Sequence, residues 1–201
     1  MGTEKINIAS IRSNIDEANK SIALRSDNTG NVIHVTYIET GLGTMVAAAT
    51  DKGICMLEFP DYKHLLLEFK QLVSYFKTTL EERDSPHFHT LQKQMDEYFD
   101  GKRKAFDIPL DMVGTDFQKT AWEALLTIPY GTTSSYGELA NSLGKSTSAR
   151  AIANANGKNK IAIIIPCHRI IGADGSLTGY AGGLERKEKL LDLEQQHLSQ
   201  K

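Results

Sequence analysis

The chain has 201 residues, 40% of them hydrophobic, with 23 Lys and Arg against 25 Asp and Glu and a net charge of −2. This is the composition of an ordinary globular protein, long enough for one large domain or two small ones. It argues against a generic DNA-coating role, which needs overall basicity. It also argues against a membrane-spanning chain, because no apolar stretch approaches the ~18 residues a span requires.

Residues 1–30 are polar, and Ser21 to Asn31 is rich in Ser, Asp, Asn and Gly, which predicts a mobile tail or a short amphipathic lead-in. Val32 to Ile38 alternates as a strand does. Thr44 to Thr50 and Ile54 to Phe59 flank Asp51-Lys52-Gly53, a hairpin signal with a glycine available for φ > 0. Leu65, Leu66, Phe69, Leu72, Val73 and Phe76 recur at helical spacing, for a helix of about 17 residues. His87-Phe88-His89 would put two imidazoles on one strand face, and with no further cluster beside them they read as surface histidines. A second helix is expected from about Thr90 to Phe99, stopped by Gly101, and Ala105 to Leu110 as a strand closing the small sheet. Residues 31–112 thus read as an α/β scaffold domain with no polar constellation that suggests chemistry.

Gly114 marks the boundary to a second domain, residues 113–201. Thr115-Asp116-Phe117-Gln118 is a capping box, and the helix it opens ends at Pro129-Tyr130-Gly131. Ser135-Tyr136-Gly137-Glu138 is a second box, opening a short helix to Leu143-Gly144. A third helix begins near Thr147 and carries small residues with one long cation, Arg150, so the pair forms a helix-turn-helix. Direct major-groove readout wants several Arg, Asn or Gln on one face. Small side chains suit either tight packing on a neighbouring helix or close approach of the backbone to a minor groove, with Arg150 able to enter the base stack.

Ile161 to Ile165 reads as a buried strand that Pro166 ends, having no N–H for the ladder. Cys167 and His168 follow at that strand end. Cys167 is one of two cysteines; with no signal-peptide core in Met1 to Ser10, both are expected as thiols in a reducing cytosol. A thiol nucleophile needs a base to activate it, and the base needs an orienting carboxylate; His168 and Glu194 have the chemistry for these roles. Residues 1–113 carry 13 basic against 17 acidic side chains, whereas Lys145 to Lys187 carries seven against two, which fits an anionic partner.

Residues 114–194 resemble the O6-alkylguanine-DNA alkyltransferases. The resemblance rests on Thr115-Asp116-Phe117-Gln118, Pro129-Tyr130-Gly131 leading to Ser135-Tyr136, Ala149-Arg150-Ala151-Ile152 and Asn159. It continues through Ile163-Ile164-Ile165-Pro166-Cys167-His168-Arg169-Ile170, Gly179-Tyr180-Ala181-Gly182-Gly183-Leu184, Lys187 and Leu190 to Glu194. It implies an α+β architecture: a small ribonuclease H-like sheet-and-helix domain, then a mainly helical, winged-helix-like domain. It implies duplex DNA carrying O6-alkylguanine, and O4-alkylthymine, as partner of a monomer, with the lesion flipped into a pocket and no cofactor or metal.

By the same resemblance Cys167 is the alkyl acceptor, His168 its base through a water, Glu194 the group behind His168, and Asn159 a brace for the active-site turns. Arg150 fills the gap in the stack and Tyr136 helps expel the nucleotide. Ile170, Tyr180 and Ala181 read the base edge, and Lys187 stands beside the pocket. Ala162 and Ala181 stand where some relatives carry Pro and Ser, which would widen the pocket. Two other classes fit parts of the pattern: a cysteine hydrolase with a Cys-His-Glu triad, and a helix-turn-helix regulator without chemistry.

Overall fold

The computed structural model describes residues 7–20, 32–60, 65–144 and 147–199. They pack into two compact units: the described residues up to Asp96 together with Asp107–Val113, and Glu97–Phe106 together with the described residues from Gly114 on.

The first unit is built on a four-stranded sheet of order β3-β2-β1-β4. Its strands are β1 (Ile33–Ile38), β2 (Met45–Thr50), β3 (Gly53–Glu58) and β4 (Leu80–Glu82). The hairpin forms where Asp51-Lys52-Gly53 predicted it, with Thr50 opposite Gly53 and a register shift at Ala48/Ala49. β1 runs antiparallel to β2 and parallel to β4. β4 is a short strand, and no alternation in the sequence announces it.

Of the two alternatives for the polar segment, helix α1 (Ile8–Lys20) is the amphipathic lead-in and not the mobile tail. Ile11, Ile15 and Ala18, at helical spacing, join one core with Val35, Val46, Ala48 and Met56 of the sheet and Leu65, Phe69, Leu72 and Val73 of α2 (Leu65–Phe76). The Asn19 amide bonds both backbone groups of Leu80, its Nδ2 donating to the carbonyl at 2.9 Å and its Oδ1 accepting from the N–H at 2.8 Å. α1 is therefore pinned to β4 by a side chain that imitates a neighbouring strand. The rest of the polar segment, residues 21–31, lies outside the described residues, as do 61–64 ahead of α2, so the longer helix expected there is described only as its twelve residues.

Two further expectations change. α3 (Pro86–Phe99) begins four residues before Thr90, with proline at the first helical position, where its missing N–H costs nothing. His87 and His89 therefore lie in a helical turn and not on a strand: the first ring is 3.3 Å from the Asp51 carbonyl oxygen, the second 2.8 Å from the Asp84 carboxylate. The expected strand Ala105 to Leu110 shrinks to one parallel bridge between Ile54 and Leu110. Pro109 has no N–H to extend it, although its carbonyl accepts from Ile54 at 2.9 Å.

The second unit holds α4 (Asp116–Leu126), α5 (Tyr136–Ser142), α6 (Ala149–Asn156) and α7 (Leu184–Ser199), with a two-stranded parallel pair, β5 (Ser134–Ser135) and β6 (Ile170–Ile171). Both predicted capping boxes form, at Thr115 and Ser135. Ser148 caps α6 through the Ala151 N–H. α6 buries Ile152, Ala155 and Asn156, and its Ala155 carbonyl accepts from the buried Trp122 indole at 2.8 Å. The last turn of α3 and the segment to Phe106 belong to this unit, with Tyr98 fully buried and its ring 5.3 Å from that of Phe106.

The hairpin yields one test of the fold. A Cβ on Gly53, at φ +152°, would lie 2.3 Å from the Pro109 carbonyl oxygen, which is backbone and cannot swing away. Gly53→Ala should cost about 2–4 kcal/mol through strain and loss of the Ile54–Leu110 bridge, read as a lower urea midpoint at unchanged slope.

Candidate active site

The apolar run Ile161 to Ile165 is not a strand. Every residue in it is buried, but the chain folds into successive turns, with Ile165 N–H bonding the Ile161 carbonyl at 3.0 Å and Ile163 at φ +70°. A continuous apolar run reports burial, not which backbone conformation is buried. Asn159 supplies what a sheet would have: its Nδ2 donates to the Ile165 carbonyl and its Oδ1 accepts from the Ile161 N–H, both at 3.0 Å. A left-handed β-branched residue costs on the order of 1–2 kcal/mol, so this clamp holds a strained turn.

Pro166 then leads into a single 3-10 turn, Cys167–Arg169, closed by the Ile170 N–H on the Cys167 carbonyl. Ile170 and Ile171 pair with Ser134 and Ser135. Because Ser135 caps α5, this pairing ties the residue before Tyr136 to the strand that leaves the cysteine turn. Tyr136 is half-buried at the first position of α5, and Arg150 is exposed in the first turn of α6.

Glu194 is the centre of the site. Its side chain is wholly buried on α7, and so is that of His168. Oε1 accepts from His168 Nε2 at 2.9 Å, from Tyr98 Oη at 2.6 Å and from Arg169 Nη2 at 3.0 Å. Oε2 accepts from the Gly131 N–H at 2.8 Å and Arg169 Nε at 3.0 Å. Arg169 also donates Nη1 to the Ile128 carbonyl at 2.7 Å and lies over the Tyr130 ring. The other ring nitrogen of His168, Nδ1, is buried and has no hydrogen-bond partner among the described residues.

Burial by itself would raise the Glu194 pKa, but its bonds to His168 and Arg169 prevail and hold it at about 2. Burial pushes His168 the other way, below its ordinary 6.5; the Arg169 and Lys187 charges add to that, and Glu194 only partly opposes it. At neutral pH the buried ion pair is thus Glu194 with Arg169, and His168 is their neutral third member. Lys187 is fully buried, its ammonium donating to the carbonyls of Ile170 and, at 2.7 Å, Thr178. Burial lowers its pKa, and its interaction with Cys167 opposes that. Cys55, in β3, is pushed strongly upward, first by burial and then by Asp111.

Of the residues singled out in the sequence, Cys167, His168, Glu194, Asn159, Ile170 and Lys187 are all buried, with His168 bonded to Glu194, Lys187 to the Ile170 carbonyl and Asn159 to the turn ahead of Cys167. Tyr180 sets its ring edge-on to His168 at 6.5 Å, while Ala181 is exposed. Sequence reasoning gave no role to Arg169, Tyr98 or Gly131. Arg169 stood in plain view in the Pro166 to Arg169 motif; Tyr98 carried no signal, because its partner is 96 residues away. Of the seven cations in the basic stretch, Lys160, Arg169 and Lys187 are buried, Arg150 and Lys158 are exposed, and Lys145 lies outside the described residues.

Among the described residues no group of three or more His, Cys, Asp or Glu could hold a metal ion, and no helix is long and apolar enough to cross a membrane. Two family models match the chain. The 6-O-methylguanine DNA methyltransferase ribonuclease-like domain covers residues 33–112, and the DNA binding domain of the same family covers 116–196. The methylated-DNA–protein-cysteine methyltransferase of Methanosarcina barkeri is 45% identical over 166 residues, 83% of this chain and 99% of the relative. The Mycobacterium tuberculosis protein of that name is 59% identical over 101 residues, half of this chain and 61% of the relative. In structure, Mycobacterium tuberculosis O6-methylguanine methyltransferase superposes with a TM-score of 0.68 at 41% identity, over 82% of this chain and 94% of that one. The same organism's OGT in complex with DNA gives 0.69 over the same shares. With both family domains present in order and a relative matched over nearly its whole length, the chain belongs to the 6-O-methylguanine DNA methyltransferase family.

Proposed function

We propose that this chain, acting as a monomer, repairs duplex DNA by taking the alkyl group from O6 of a flipped guanine, and from O4-alkylthymine, onto Cys167. The observation that carries the reading is the 2.9 Å bond between His168 Nε2 and Glu194, two fully buried groups beside a buried cysteine. Glu194 keeps the imidazole proton on Nε2, which leaves the Nδ1 lone pair as the base. That nitrogen takes the Cys167 proton through a water. The thiolate sulfur attacks the alkyl carbon, the C–O6 bond breaks, and guanine leaves with the electron pair and gains a proton from the Tyr136 hydroxyl. The buried Lys187 ammonium favours the thiolate. A thioether offers no good leaving group, so each chain acts once.

Flipping costs a few kcal/mol of unstacking and unpairing, which a side chain filling the vacated space partly offsets. Arg150 is suited to this: it is exposed on α6, among small residues that let a backbone approach closely. Asn159 holds the cysteine turn in shape, while Ile170, Tyr180 and Ala181 contact the base edge.

Intact mass tests the central claim. After incubation with a duplex containing O6-methylguanine, the chain should gain one methyl and no more, on the Cys167 peptide. Cys167→Ser should gain none yet still bind, and Cys55→Ala should react as the parent does. Label on Cys55 would refute the assignment, and a turned-over ester would favour a hydrolase.

The pH dependence follows from the sign of the His168 shift. A base whose pKa lies below 6.5 is already deprotonated at neutral pH, so the transfer rate should stay level as pH falls from 8 to about 6.5 and decline only below that. An acid limb centred above 6.5 would contradict a neutral buried base.

Arg150→Ala should slow transfer from duplex DNA by about tenfold or more, while leaving reaction with the free O6-alkylated base nearly unchanged, since a free base has no stack to leave. Arg150→Lys should recover part of the duplex rate. Equal losses on both substrates would mean that Arg150 shapes the pocket.

A further inference from the structure

We propose that Tyr98, which comes from the half of the sequence that reads as scaffold, is a positioning residue for alkyl transfer: its hydroxyl sets the basicity of Glu194 and thereby holds His168 as a neutral base. The proposal rests on the alkyl-transfer reading above.

Tyr98 lies in the last turn of α3, inside the stretch matched by the ribonuclease-like domain. It packs with the second unit and is fully buried. Its O–H reaches Glu194 Oε1 at 2.6 Å, and that same oxygen accepts His168 Nε2 at 2.9 Å. A phenol buried beside a carboxylate has its pKa raised well above 10, first by burial and then by the Glu194 charge, so it remains a donor throughout the working range. An O–H donated to a carboxylate is short and strong, and it draws electron density from the oxygen that accepts it. Oε1 is therefore a weaker acceptor toward His168 than the oxygen of a bare buried carboxylate. It still orients Nε2–H, yet it stabilises the imidazolium less, and Nδ1 stays unprotonated in the resting site.

The other groups around this pair do not depend on the phenol. Arg169 and Cys167 come from the 3-10 turn and Lys187 from α7. Tyr180 stands edge-on to His168. Tyr130 shares its hydroxyl with His197 at 3.2 Å and has the Lys104 ammonium 5.8 Å from its ring centre. Tyr98→Phe keeps the ring, whose centre is 5.7 Å from Tyr130, 5.3 Å from Phe106 and 5.4 Å from Phe99. It removes only the donor.

Without that donor Oε1 becomes more basic, the imidazolium is better stabilised and His168 retains its proton to higher pH. The experiment uses the full chain in three forms: the parent, Tyr98→Phe, and a chain with 3-fluorotyrosine in place of Tyr98. The fluorinated phenol is more acidic and donates more strongly. Methyl transfer from an O6-methylguanine duplex is followed against pH, and the His168 imidazole is titrated by NMR in the unreacted proteins. Tyr98→Phe should slow transfer roughly tenfold at neutral pH, a charged hydrogen bond's share, and should move the acid limb and the His168 titration upward. Fluorotyrosine should move both downward. Duplex affinity should be unchanged in all three.

Coincident acid limbs, or a loss that is uniform in pH, would overturn the assignment and leave Tyr98 a packing residue. A parent chain that accepts no methyl would sink the alkyl-transfer reading instead. The three NMR titrations would then decide Tyr98 alone: opposite displacements support its control of His168, and coincident curves overturn it.

Discussion

A single buried carboxylate organises the second unit. An ionised group taken wholly out of water costs several kcal/mol unless its oxygens are met by donors, and Glu194 is met by four residues from three separate parts of the chain. Tyr98 ends α3, Gly131 lies in the loop after α4, and His168 and Arg169 form the 3-10 turn. Each is usable only if its segment docks at one position on α7, so the cost of burying the charge becomes a specification of where the cysteine turn must sit. The same carboxylate that fixes the scaffold fixes the imidazole. Removing its charge would leave the Arg169 guanidinium buried without a counter-ion, which is why structure and chemistry cannot be separated at this residue.

The face of α6 proposed to meet DNA is built on a different principle. α6 turns Ile152, Ala155 and Asn156 inward and leaves Arg150 and Asn154 exposed one turn apart. Tight packing therefore accounts for one face of this short helix, and the proposed close approach to DNA would use the other. Among the described residues of the basic stretch, Lys160, Arg169 and Lys187 are withdrawn from solvent, which leaves Arg150, Lys158 and the half-buried Arg186 to meet phosphates. Positive charge in a sequence window is a statement about composition, and only burial decides which charges a polyanion can feel.

Local signals were legible and distant ones were not. The two capping boxes, the Asp51-Lys52-Gly53 hairpin and the periodic leucines of α2 are each specified within a few residues, and each forms where the sequence puts it. The resemblance carried by Pro166 to Arg169 located the site because it compresses long-range geometry into a short motif. Most of what was not legible was longer in reach. The sequence of α1 fits a tail and an amphipathic lead-in alike, because its contacts with α2 and β4 decide between them and its polar composition conceals those contacts. β4 is a strand because β1 is beside it. The run Ile161 to Ile165 misleads for a local reason: strand and buried turn share one requirement, to be apolar, and differ in hydrogen bonds that the nearby Asn159 side chain supplies.

The features that cost stability gather in this one stretch. Ile163 sits in a left-handed conformation, His168 Nδ1 is buried without a partner among the described residues, and Lys187 is fully buried with its ammonium on two backbone carbonyls. None of these is what a sequence selected for folding alone would keep. Each has a use if the turn presents a thiolate to a carbon atom. The strained turn fixes the direction of the Cys167 side chain, the open nitrogen accepts its proton, and the ammonium favours the anion left behind. Trp122, Leu125, Leu139, Ile152 and Leu190 of the same unit are buried, and apolar burial of that kind offsets such costs. A site that acts once gains nothing from flexibility after the reaction, and here the strain is held by hydrogen-bonded clamps on both sides, Asn159 before the cysteine and Glu194 after it.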